Sequence, residues 1–366
     1  MNGRWGSSKR GARSVGVVMS VLLVAAGMSA GDRRGFHQSP TLTPQTSGTT
    51  NRLQAVSPVS SRVVWASGVG GTFARTTDGG QTWESHVVPG AETLEFRDVE
   101  GVSANVAYLL ASGVGSDSRI YKTEDGGATW ELQFQNADPN GFYDCFAFWT
   151  PRSGLTMADS SNGRFPVVRT FDGGKNWKDI GDKLPAPLPD GEYAFAASGT
   201  CVAALGLNWA WIAAASTTES RIFATRDFGQ TWNAYTTPIA ASDSGAAGVF
   251  SVAFRDPRHG VIGGGDFLGE EVIDNFARSR DGGKTWSLES NAPIPGAIFG
   301  LAYVGDLFHW KTIVATGPGG AAWTPDEGDT WTSLEGVDGY WAVAFAPFRG
   351  DGWLVGTDGR ILKISF

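Results

Sequence analysis

Short apolar runs, some alternating with polar residues and some continuous, follow one another from about residue 53 to the C terminus, each broken by Gly, Pro, Asp, Asn or Ser. That is the pattern of strands and tight turns. Residues 53–59, 63–68, 72–77 and 83–88 read as four consecutive strands, and 248–254, 260–265, 275–280 and 286–289 repeat the arrangement. Between the third and fourth strand of each set lies the same eight-residue phrase: a hydroxyl residue, an Asp two positions on, a Gly two further, and a closing Trp. Its Asp and Trp are Asp78 and Trp83, Asp125 and Trp130, Asp172 and Trp177, Asp227 and Trp232, Asp281 and Trp286, and Asp326 and Trp331.

The closing tryptophans are 45 to 55 residues apart, a period suited to a four-stranded propeller blade. In each phrase the carboxylate and hydroxyl can bind the backbone of a tight turn, while Gly takes the positive φ the turn needs. The Trp then offers a large apolar face for burial between sheets, with an indole N–H free to seek a carbonyl. After the sixth phrase, 340–345, 352–356 and 360–365 supply only three strands. A strand from before Leu53 would complete the last blade and close the ring. The expected fold is all-β, a seven-bladed β-propeller over residues 51–366, with six blades carrying the phrase and one closing blade.

Composition agrees, with 51 Gly, 15 Trp and only 18% charged residues. A net charge of −8 and no Lys/Arg cluster beyond the first residues argue against nucleic acid as a partner. Arg4, Lys9, Arg10 and Arg13 precede an apolar run, 15–26, and small residues follow. Residues 1–30 therefore read as a signal peptide with cleavage after Ala26 or Ala30, the competing reading being an uncleaved anchor. Either places the remainder outside the cytoplasm, periplasmic or extracellular. Residues 31–50, rich in Ser, Thr, Pro and Gln from Ser39 onward, read as a flexible lead. Cys145 and Cys201 sit in apolar contexts that allow either a disulfide or two buried thiols.

The repeated phrase resembles the Asp-box (BNR) repeat. Together with Val64-Trp65-Ala66-Ser67-Gly68 leading into Arg75-Thr76-Thr77-Asp78-Gly79-Gly80, and Gly352-Trp353-Leu354-Val355-Gly356 near the end, it makes residues 50–366 similar to the photosystem II stability/assembly factor-like propellers. The resemblance implies a non-catalytic scaffold for protein binding. Asp boxes also occur in sialidases and other glycoside hydrolases, so the fold does not choose between a scaffold and an enzyme.

Chemistry is expected, if anywhere, on the face opposite the boxes, built from the connections between blades and between second and third strands. There lie Asp159 and Arg164, the long link 185–200 with Glu192 and Tyr193, and an acidic loop with Asp266, Glu270 and Glu271. These seven residues are the candidate ligand or partner contacts. No catalytic residue is assigned. A sialidase would need an arginine clamp and a tyrosine paired with a carboxylate. Arg75, Arg169 and Arg278, with Lys122 in the same place, recur just before boxes as repeat-unit residues would, and Phe96-Arg97-Asp98 lacks the Ile-Pro of the sialidase motif. His37, His86, His259 and His309 show no metal spacing, and neither a dinucleotide fingerprint nor a nucleophile elbow is present. No cofactor or metal is expected. The favoured partner is an extracytoplasmic or membrane protein, with a glycan as the alternative ligand.

Overall fold

The computed structural model describes residues 39–366, so the signal-peptide reading of residues 1–30 lies outside the described residues. Within 39–366 the strands form seven four-stranded antiparallel sheets, the seven blades of a propeller. In blade 1 the order from the channel outward is Leu53–Pro58, Val64–Gly68, Thr72–Thr76 and Glu84–Val87. Blades 2 to 6 repeat this order, and apart from three short 3₁₀ turns no helix occurs among the described residues.

Blade 7 is composite. Its inner three strands are Tyr340–Phe345, Asp351–Gly356 and Arg360–Ser365, and its outer strand is Thr41–Thr46, paired from Thr41 opposite Ser365 to Thr46 opposite Arg360. Ring closure by an N-terminal strand is thus observed, and the flexible lead is corrected: half of the stretch 39–50 is a strand. Gln45 binds this strand to both neighbours. Its Oε1 accepts from the indoles of Trp83 in blade 1 (3.0 Å) and Trp353 in blade 7 (3.1 Å), and its Nε2 donates to the Gly79 carbonyl (3.2 Å).

All six boxes share one hydrogen-bond pattern. In blade 1 the Thr76 hydroxyl donates to Asp78 Oδ1 (2.8 Å) and accepts from Gly80 N–H (2.9 Å), while Asp78 takes the amide and hydroxyl of Thr82 (2.9 and 2.6 Å). These donors hold the Asp78, Asp125 and Asp172 carboxyls at about 2. Two boxes replace the first Gly by a side chain in the left-handed region, Phe228 (φ 64°) and Glu327 (φ 59°). Contacts elsewhere offset the strain: Phe228 packs on Trp149, and the Glu327 carboxylate accepts from Arg255 Nε (2.6 Å) and the Tyr303 hydroxyl (3.2 Å).

The box Trp packs toward the preceding blade, as Trp130 does on Phe73 (5.1 Å) and Trp331 on Phe276 (5.0 Å). Its N–H finds a carbonyl only in some blades: Trp286 donates to Gly283 and Trp331 to Ser290, whereas Trp130, Trp177 and Trp232 have no partner among the described residues. The residues before the boxes link blades. Arg75 donates to the Ala104 carbonyl of blade 2, Arg169 to Phe228 of blade 4, and Arg278 to Asp326 and Glu327 of blade 6.

Boxes are therefore framework. Asp172→Ala is expected to lower the thermal midpoint by several degrees and leave ligand binding by the folded protein unchanged, which a melting curve and a binding isotherm on the same sample would check. A variant of full stability that had lost binding would contradict this.

Candidate functional site

Each box amide binds a turn between the first and second strands, as Gly79 N–H does Arg62 O and Gly282 N–H does Arg258 O. Boxes and these turns thus share one face. The other face carries the turns between second and third strands and the links between blades, and the channel opens there into a groove of about 370 Å³.

A local irregularity of the inner strands builds this groove. In five blades the first strand has a bulge near its start, between Leu53 and Ala55, Phe96 and Asp98, Tyr143 and Cys145, Val249 and Ser251, and Tyr340 and Ala342. A bulge adds one residue and re-aims its side chain. The added residues are Gln54, Arg97, Asp144, Phe250 and Trp341, and the last four line the groove. The Cys145–Cys201 disulfide, with Cα atoms 5.9 Å apart, ties the inner strand of blade 3 beside its bulge to the start of blade 4.

One side of the groove is aromatic. Phe195 stacks on Phe250 (3.7 Å, 7°), Phe250 on Phe299 (5.3 Å), and Phe299 meets Trp341 edge-on (5.1 Å). Tyr193 and the half-exposed Phe267 flank this row. The opposite side holds two carboxyls, Asp144 and Asp159. Burial, and then the Asp159 carboxyl against it, push Asp144 well above the usual range. Burial raises Asp159 to about 7 despite a hydrogen bond from Ala194 N–H (3.1 Å). The Asp159 carboxyl is near enough to add to the shift of Asp144, and burial favours the protonated form of both groups. Arg97 beside them is held by Glu95, whose Oε2 accepts from its Nε (3.0 Å) and Nη2 (2.7 Å).

Deeper in the channel, a cavity of about 440 Å³ is lined by the inner strands and by Ser198, Gly199 and Thr200. Asp98 there gives its two oxygens to the amides of Val99 (2.8 Å) and Phe146 (2.9 Å). Gly199, at φ 76°, permits the close approach, because a Cβ would stand 2.3 Å from Asp98 Oδ1. Glu100 faces the same cavity, and burial raises it to about 7.

The structure divides the seven candidates. Asp159 and Tyr193 meet in the groove, and Glu270 lines an adjoining hollow that shares Phe267 and Phe299. Asp266 caps its own loop by accepting from Leu268 N–H (2.9 Å), and Glu271 is exposed. Two further candidates are engaged in ion pairs away from the groove. Glu192 is buried and paired with Arg221, and Arg164 lies outside the groove, paired with Asp179 (2.6 Å). Arg97, Asp144 and the aromatic row did not emerge from sequence reasoning. Comparing the start of each inner strand would have found them: Leu-Gln-Ala, Phe-Arg-Asp, Tyr-Asp-Cys, Val-Phe-Ser and Tyr-Trp-Ala align a large residue, a variable one and a mostly smaller one. No cluster of three His, Cys, Asp or Glu side chains suited to a metal occurs among the described residues.

Residues 277–288 match the BNR/Asp-box repeat, and this match falls on the fifth of six boxes of identical geometry. The chain is an Asp-box propeller. The propeller's fold resembles YCF48 bound to a D1 peptide, with a TM-score of 0.60, 19% identity and coverage of 90% of this chain and 98% of that one. YCF48 from Cyanidioschyzon merolae gives 0.63, 15%, 88% and 98%. The GH74 xyloglucanase from Xanthomonas campestris gives 0.59 at 14%, with 88% of this chain against 53% of that chain. No curated protein matches the sequence.

Proposed function

We propose that this propeller is a non-catalytic, extracytoplasmic scaffold that holds a protein partner in the mouth groove of its box-free face. The observation that carries this reading is the groove's construction: four inner-strand bulges turn Arg97, Asp144, Phe250 and Trp341 into one concavity. Rigid aromatic surface beside a few polar anchors is the usual makeup of an interface hot spot. The fold shared with YCF48 bound to a D1 peptide supports a peptide-bearing partner. The apolar run at 15–26 behind four basic residues supports export.

Glycan hydrolysis is the second reading, favoured by the fold shared with a xyloglucanase. Glycosidases hold their two carboxyls roughly 5 to 9.5 Å apart, with room for a sugar ring or water between them. Asp144 and Asp159 line the same wall, where Asp159 raises the proton affinity of Asp144, and Asp98 is committed to backbone amides.

The test is affinity capture from the source organism's envelope fraction with three baits: the unaltered chain, Phe195→Ser/Phe267→Ser on the groove, and Phe308→Ser/Phe348→Ser on exposed box-face turns. The expected result is a partner held by the first and third baits and lost by the second. Loss from the third bait alone, or sugar release from envelope polysaccharide, would sink the proposal.

A further inference from the structure

The mouth groove offers chemically different walls to whatever enters it. From blades 4 to 7 come the stacked faces of Phe195, Phe250 and Phe299 and the edge-on Trp341; from blade 3 come Asp144 and Asp159. Asp144 is only 1% exposed, and its Oδ2 has no donor among the described residues. A buried carboxylate oxygen left in that state is costly unless something supplies a donor or a positive charge.

We infer that the groove receives a cationic side chain of the partner, its ammonium or guanidinium group against Asp144 and Asp159 and its apolar flank along Phe195 and Phe250. The inference rests on the reading of this face as the partner surface and adds the chemistry that the partner must present. Aromatic faces and desolvated carboxylates both attract cations, and the combination favours a charged donor over a neutral one of the same shape. Two cations near the rim, Arg97 and Arg52, are already engaged. Arg97 is gripped through two nitrogens by Glu95 and reaches the Ala196 carbonyl with a third. Arg52 lies 4.3 Å over the Trp341 ring and 3.9 Å from Glu95. Arg52, Glu95 and Arg97 together leave one positive charge near the rim, so an anion is the rival ligand.

While the groove is empty, burial favours the protonated form of both aspartates. An entering cation favours the carboxylates, so its binding is expected to release protons to the buffer.

The test is calorimetric titration of the folded protein, near pH 7 in two buffers of different ionisation enthalpy, with 4-phenylbutylamine, 4-phenylbutan-1-ol and 4-phenylbutanoate. These share an aromatic flank and differ in head-group charge. The amine is expected to bind at least about tenfold more tightly than the alcohol, with proton release. Asp144→Asn/Asp159→Asn should reduce the amine to the alcohol's affinity and leave the alcohol unchanged. Phe195→Ser should weaken both. Tighter binding of the butanoate, binding by none of the three, or an amine preference that survives the double variant would overturn the inference. If capture still depended on Phe195 and Phe267 in that event, the reading of the face would stand while its cation chemistry fell.

Discussion

Removing residues 39–50 is expected to abolish the cooperative native fold, giving a chain that aggregates or melts far below the intact protein. Blade 7 would lose its outer strand and expose the edge of Arg360–Ser365, and the contacts of Gln45 with blades 1 and 7 would go with it. An opened ring presents unpaired backbone along a full strand, the usual template for association between chains. Gln45→Ala separates the anchor from the strand. It leaves the indole N–H of Trp353, which is wholly buried, and that of Trp83 without their acceptor. At about 1 to 3 kcal/mol for each orphaned buried donor, a loss of roughly 2 to 4 kcal/mol is expected by denaturant melting. Thr43→Ala, at an exposed position on the same strand, should change stability by less than about 0.5 kcal/mol. Equal effects of the two substitutions would refute the anchoring role.

Stability is expected to peak in mildly acidic solution and fall toward neutrality. Glu100 and Asp159 are raised by burial to about 7 from ordinary values of 4.5 and 3.8. Between those limits the folded chain keeps protons that the unfolded chain has released, so stability is full below about pH 4 and is lost as the pH rises through 7. Each group contributes on the order of 3 kcal/mol across its window. Asp98 and Asp144, also raised by burial, extend the trend to higher pH. The box carboxylates act in the other direction. Asp78, Asp125 and Asp172 are depressed to about 2, so their contribution is present above about pH 4 and disappears as the pH falls toward 2. The melting temperature should therefore be highest near pH 4 to 5, with Glu100→Gln flattening the neutral limb. A midpoint that rises from pH 5 to 7 would contradict the account of the channel.

The blades were legible because their determinants are local. A hydroxyl, an Asp, a Gly and a Trp at fixed offsets specify one turn, and six copies specify a ring. The closing strand was legible as a requirement but not as a location. Thr-Leu-Thr-Pro-Gln-Thr is an outer strand with most of its side chains in solvent, so it carries little apolar alternation, and Pro44 is tolerated there as it would not be in a central strand. The mouth was legible only in outline. Chain order placed the right loops on the right face, but a bulged residue sits inside an ordinary apolar run, and period-two reading assigns it to the wrong side. Glu192 looked available because charge in a long link suggests exposure, and Arg221, distant in sequence, is what buries it. Arg164 stays exposed, and Asp179 engages it outside the groove.

The most direct measurement of the central claim is hydrogen–deuterium exchange across the propeller with and without its captured partner. Slowed exchange is expected at 142–144, 193–197, 266–269 and 341, with the six boxes unchanged. Protection confined to the boxes and to the exposed turns at Phe308 and Phe348 would put the partner on the opposite face and contradict it.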